Sequence, residues 1–137
     1  MTASPLSSVW PDFRTSPPAS PDQLTHFQLS SGINLPIEYL EFLKTSNGGE
    51  GFIGRNYLVL DPIEKIVESN RNLNVEEYAP GLVVIGSDGG GEAIGFDRRG
   101  TAWPVVMVPL IPLDMKEAQV IAESFGSFLD KYSRFEL

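Results

Sequence analysis

The sequence predicts an α+β fold: a single domain with a largely antiparallel sheet and helices packed mainly on one face. Three observations carry that expectation. Helix-capping signals recur near residues 20, 61 and 114, short β-rich runs joined by glycine turns fill the middle of the chain, and apolar residues return at helical spacing near its C-terminal end. A length of 137 residues accommodates one domain, able to bury about two-thirds of its unfolded surface without a covalent staple.

Residues 1–19 carry Pro5, Pro11, Pro17 and Pro18 among Ser and Thr, and read as a loosely ordered N-terminal arm. Trp10 and Phe13 are apolar enough to pack back on the domain, which spans 20–137. Ser20-Pro21-Asp22-Gln23 supplies an N-cap, a first-turn proline and a Gln able to close a capping box, and Gly32 can end that helix in the left-handed conformation. A second helix starts near Pro36, with Pro36, Tyr39, Leu40 and Leu43 on one face, and stops at Asn47-Gly48-Gly49. Strands follow at Phe52–Ile53 and Tyr57–Leu60. Asp61-Pro62-Ile63-Glu64 repeats the capping pattern before a stripe of Ile63, Ile66 and Val67, and Asn70, Asn72 and Asn74 should fray that helix. Leu82–Ile85, Glu92–Asp97 and Ala102–Val108, separated by glycine turns, predict an antiparallel meander. Asp114-Met115-Lys116-Glu117 is a third capping box, and Ala118, Ile121, Ala122, Phe125, Leu129 and Tyr132 predict one continuous final helix.

Composition narrows the function classes. There are no cysteines, which excludes disulfides, thiolate zinc sites and thiol nucleophiles and makes an oxidising compartment unnecessary. Residues 1–20 contain no apolar run of the kind a signal peptide or anchor needs, and the longest apolar stretch, Trp103 to Leu113, is broken by prolines. A cytoplasmic protein without membrane contact is therefore expected. Ten basic against eighteen acidic side chains give a formal net charge of -8, which disfavours phosphate backbones and hence nucleic acid, and favours encounter with a basic partner.

No complete catalytic constellation is present. His26 is the single histidine and no serine sits in a nucleophile-elbow pattern. Gly86-Ser87-Asp88-Gly89-Gly90-Gly91-Glu92 resembles a phosphate loop only in composition, because a strand rather than a helix follows it. Asp88 and Glu92 lack the dense oxygen spacing of a calcium loop. No metal ligand, catalytic residue or cofactor is assigned. Asp88, Glu92 and Asp97 are instead read as an acidic rim around one hairpin, with Glu50 joining it if the two glycine loops are neighbours. Trp103, among Val105, Val106 and Val108, is read as core ahead of interface.

These residues resemble the SUKH superfamily (the Smi/Knr-like proteins). The likeness rests on Leu35-Pro36-Ile37-Glu38-Tyr39, Phe42-Leu43, Asn47-Gly48-Gly49, the run Val84 to Glu92 with Phe96-Asp97, and Ser124-Phe125-Gly126-Ser127-Phe128-Leu129, in that order over about residues 20–133. The resemblance implies an α+β fold and a bacterial immunity protein that binds and neutralises a polymorphic toxin; fungal relatives act in cell-wall regulation and signalling. The family carries over no active site. The expected function is accordingly non-catalytic binding of a protein, with a basic, nuclease-like toxin domain as the favoured partner and a monomer or weak homodimer as the acting form. Candidate binding residues are Asn47, Gly48, Gly49, Glu50, Asp88, Gly89, Gly90, Glu92 and Asp97. The alternatives are a small-molecule-binding or regulatory domain, in which the glycine loops line a pocket, and last an enzyme using scattered carboxylates.

Overall fold

Seven strands lie in chain order across one antiparallel sheet in the computed structural model, which describes residues 9–135. They are β1 (Phe13–Thr15), β2 (Gly49–Ile53), β3 (Asn56–Leu60), β4 (Leu82–Ser87), β5 (Glu92–Asp97), β6 (Val105–Pro109) and β7 (Gln119–Ala122). The α-helices are α1 (Pro21–Ser31), α2 (Ile37–Leu43), α3 (Ile63–Asn72), α4 (Val75–Tyr78) and α5 (Phe125–Ser133). The fold is the expected single α+β domain.

Strand alternation sorts side chains onto the two faces. Val83 and Ile85 of β4, Ile94 and Phe96 of β5, and Val105 and Met107 of β6 join a core with Phe27, Tyr39, Leu43, Ile66, Phe125 and Phe128. Helices α1, α2, α3 and α5 therefore cover one face. Among the described residues the opposite face is covered only over β4–β6, where Leu82, Val84, Ala93, Val106 and Val108 meet Val75 of α4 and Leu113 and Met115 of the segment after β6. A bulge in β4 between Val84 and Gly86 adds local twist at that boundary.

Several local expectations hold for the stated reasons. Ser20 and Gln23 close a reciprocal capping box, and Gly32 ends α1 at φ 71°. Others yield to tertiary structure. Residues 13–15, placed by sequence in the N-terminal arm, pair with β2 as an edge strand, and Phe13 is buried. The first eight residues of that arm, Pro5 among them, lie outside the described residues. The third meander strand begins at Val105, not Ala102, because Trp103 turns the chain at φ 50° and Pro104 follows. Trp103 is partly buried, with its ring centroid 6.2 Å from that of Phe96.

The continuous final helix does not form. Asp114 caps a single 3-10 turn, Met115–Glu117, by accepting from the Lys116 amide. Gln119–Ala122 then runs extended, because β6 offers an unpaired outer edge and the β-branched pair Val120-Ile121 suits a strand. The helix starts only at Phe125. Nor does α3 fray at its asparagines: the Asn70 side chain exchanges 2.8 Å bonds with both the amide and the carbonyl of Val84, and ties the helix to β4.

Candidate functional site

Over β1–β3 no described residue covers the face that α4 covers elsewhere, and the register shows which side chains stand there. Arg14 pairs with Glu50, Glu50 with Val59, and Val59 with Ser87, while Phe52 pairs with Tyr57. Directly opposed residues share a face. Phe52 is 49% exposed, and its ring meets that of Tyr57 edge-on, with centroids 5.1 Å apart and an interplanar angle of 81°. The Tyr57 hydroxyl donates to Glu50 Oε2 at 2.5 Å.

Tyr57 also joins this patch to the second glycine loop. Gly89, at φ 82°, packs so closely on the ring that a Cβ there would lie 2.8 Å from it, so only glycine fits both the conformation and the space. Asp88 shapes the loop: Oδ1 accepts from the amides of Gly90 at 2.8 Å and Glu92 at 3.1 Å. Burial, and secondarily the Asp88 charge, push the Glu92 carboxyl above its ordinary value. The same pair of causes raises the Tyr132 phenol, whose hydroxyl donates to the Tyr57 carbonyl at 2.5 Å. The two glycine loops are thus neighbours through one tyrosine, which brings Glu50 and the turn of Asp88, Gly89, Gly90 and Glu92 into one region.

The remaining candidates lie elsewhere. Asp97 stands at the other end of β5 from Glu92, roughly 17 Å away at strand rise. Both its carboxylate oxygens take the Arg99 fork at 2.9 Å, and that bonding holds its carboxyl below the usual range. Asn47 is buried: Oδ1 accepts from the Ile63 amide and Nδ2 donates to Glu64 Oε1, each at 2.8 Å. It therefore caps α3 from a distant loop, the work assigned by sequence to Asp61, while the N-cap position itself is Pro62 and offers no side-chain bond. Gly48 is buried, and a Cβ on it would collide with the Leu60 carbonyl. Gly49 packs against the Phe13 ring.

Sequence reasoning missed Phe52 and Tyr57. Their signal was the alternation Glu50, Phe52 and Tyr57, Val59, which places aromatic and acidic groups together once that side is known to be open. His26 is exposed on α1. Among the described residues no group of three or more His, Asp or Glu side chains is placed to hold a metal ion, and no helix is long and apolar enough to cross a membrane.

A helix-backed meander with one open quarter, lined by an aromatic pair and carboxylates, defines a surface-presenting α+β module. The chain belongs to the SMI1 / KNR4 family (SUKH-1), whose family model matches residues 18–131. It is also similar to the uncharacterized protein YnaB of Bacillus subtilis (strain 168), at 36% identity over 74 residues, or 54% of this chain. Those residues span 47% of that relative's length.

Proposed function

We propose that this chain is an immunity-type binding protein that neutralises a polymorphic toxin by covering it, with the open β1–β3 face as the contact surface. Family membership supports a protein partner. The observation that carries the choice of face is the half-exposed Phe52 held edge-on against Tyr57, beside Glu50 and the Asp88–Glu92 loop. Aromatic anchors dominate interface energetics, and a lysine or arginine from a basic toxin would find ring faces and carboxylates together there. The net charge of -8 adds long-range attraction for such a partner. Binding rather than turnover is the assigned role, and the cytoplasm the place where a toxin-producing cell would need it.

The test is a screen of basic toxin domains for growth rescue by this chain, followed by association kinetics on the purified pair that results. The wild-type chain should restore growth, and Phe52→Ala should weaken binding about thirtyfold. Glu50→Gln with Asp88→Asn should slow association and flatten its dependence on salt. Growth rescued equally well by Phe52→Ala, with unchanged affinity, would reject this face.

A further inference from the structure

β4 has two ends. Ser87 at its finish borders the face just described, while Leu82 and Val83 at its start border a cavity of about 510 Å³ between the C-terminal end of α1, α3 and α4. That volume lies within the range of small-molecule sites, roughly 300–1,000 Å³. Ile33 and Val67, both partly buried, give it an apolar wall, backed by the buried Ile66, Leu82 and Val83. Part of its polar lining is already committed. The Asn70 amide is taken by Val84 and Ile66, and the Ser31 hydroxyl donates to the Phe27 carbonyl at 2.6 Å.

Two guanidinium groups remain. Arg71, in the last turn of α3, and Arg98, just after β5, both line the cavity, and neither makes an ion pair among the described residues. Acids outnumber bases eighteen to ten in this chain, so unpaired arginines on one recess are notable as recognition groups. A guanidinium presents a planar fork that matches a carboxylate. Glu76 and Glu77 line the cavity as well. Their charges balance the two arginines, so a carboxylate is held by the directed guanidinium forks and not by net charge, and a dianion meets added repulsion from the glutamates.

We infer that this cavity binds a small organic monocarboxylate with an apolar body, its carboxylate held by Arg71 and Arg98 and its apolar part laid on Ile33 and Val67. The site is separate from the β1–β3 face and does not depend on the immunity reading.

The experiment is calorimetric titration and thermal melting of the full chain with hexanoate, phenylacetate and indole-3-acetate, set against hexanol and phenyl phosphate. At least one carboxylate should bind saturably and raise the melting temperature, as any ligand selective for the native state must. Arg71→Gln and Arg98→Gln should each weaken it about tenfold, and Glu76→Gln with Glu77→Gln should tighten it. The glutamate pair keeps the test decisive if an arginine variant folds poorly, because it predicts a gain. Phe52→Ala should leave carboxylate binding unchanged, so failure here and failure of the immunity reading are told apart. No saturable binding by any of the three acids, equal binding by hexanol, preference for phenyl phosphate, or indifference to both arginines would overturn the inference.

Discussion

Replacing Asn47 with Ala separates a bracing role from a contact role at the Asn-Gly-Gly corner. Truncation removes the acceptor for the Ile63 amide and the donor to Glu64, each bond 2.8 Å long. Loss of a helix cap costs about 1 kcal/mol. Ile63 is buried, so its stranded amide adds desolvation of about 1–3 kcal/mol, partly the same quantity counted again. The Glu64 bond adds little, because Glu64 is exposed. The expected loss is therefore about 2–3 kcal/mol, a large fraction of the roughly 5–15 kcal/mol typical of a domain. Urea melts followed by circular dichroism measure it directly. Asn47→Asp supplies the sharper arm: it keeps the oxygen for Ile63 but sets a carboxylate against Glu64, so it should remain destabilised until Glu64→Gln removes the like charge. The reasoning fails if Asn47→Ala unfolds at the wild-type midpoint, or if Glu64→Gln gives Asn47→Asp no recovery beyond its own effect.

Tyr39 is completely buried, and its hydroxyl has no hydrogen-bond partner among the described residues. Tyr39→Phe should accordingly stabilise the protein by about 1 kcal/mol, because an unpaired buried hydroxyl costs about 1–3 kcal/mol; a loss of that size in a urea melt would mean the hydroxyl is bonded. The Asp61 carboxyl is raised by burial, against the opposing Ser69 hydrogen bond and Lys65 charge. A raised carboxyl contributes stability below its ordinary pKa and loses it as pH climbs through the raised value. Asp61→Asn should thus raise the melting temperature at pH 7, with the gain vanishing below about pH 4, and a lower melting temperature at pH 7 would refute it.

Local chemistry was legible wherever one segment decided its own conformation. Ser20, Pro21, Gln23 and Gly32 fix α1 from cap to cap, and the meander from Leu82 onward follows from short apolar runs and turns. Long-range competition was not legible. Asp114 does cap a turn, but the unpaired edge of β6 draws Gln119–Ala122 into the sheet before a helix can propagate. Asp61 sits where a cap belongs in sequence, yet Asn47 reaches the same helix from a loop sixteen residues away from Ile63. For the candidate site, carboxylates could be found by type but not sorted by place. Asp97 and Asp88 are the same residue type bordering turns of one meander, and strand length and the Arg99 fork remove Asp97 from the rim. Phe52 and Tyr57 were invisible as a surface because hydrophobic alternation looks the same whichever side a helix covers.

Among the described residues, what leaves that side uncovered is the shortness of α4 and the position of the segment after β6. Both lie over β4–β6, where Val106 and Val108 need burial, and neither reaches β3. Past Val59 the outward residues become Glu50, Phe52 and Tyr57, and the polar tips of the first and last let the surface meet water without a covering helix. Phe52 gains partial shelter from the Tyr57 ring, which Gly89 holds at its edge and whose hydroxyl is tied to Glu50, while Tyr132 fixes the Tyr57 backbone by bonding its carbonyl. An aromatic anchor held by three separate elements loses little freedom on meeting a partner, which lowers the entropic cost of association. The same three supports explain why glycine is required at position 89: a side chain there would displace the ring on which the exposed phenylalanine rests.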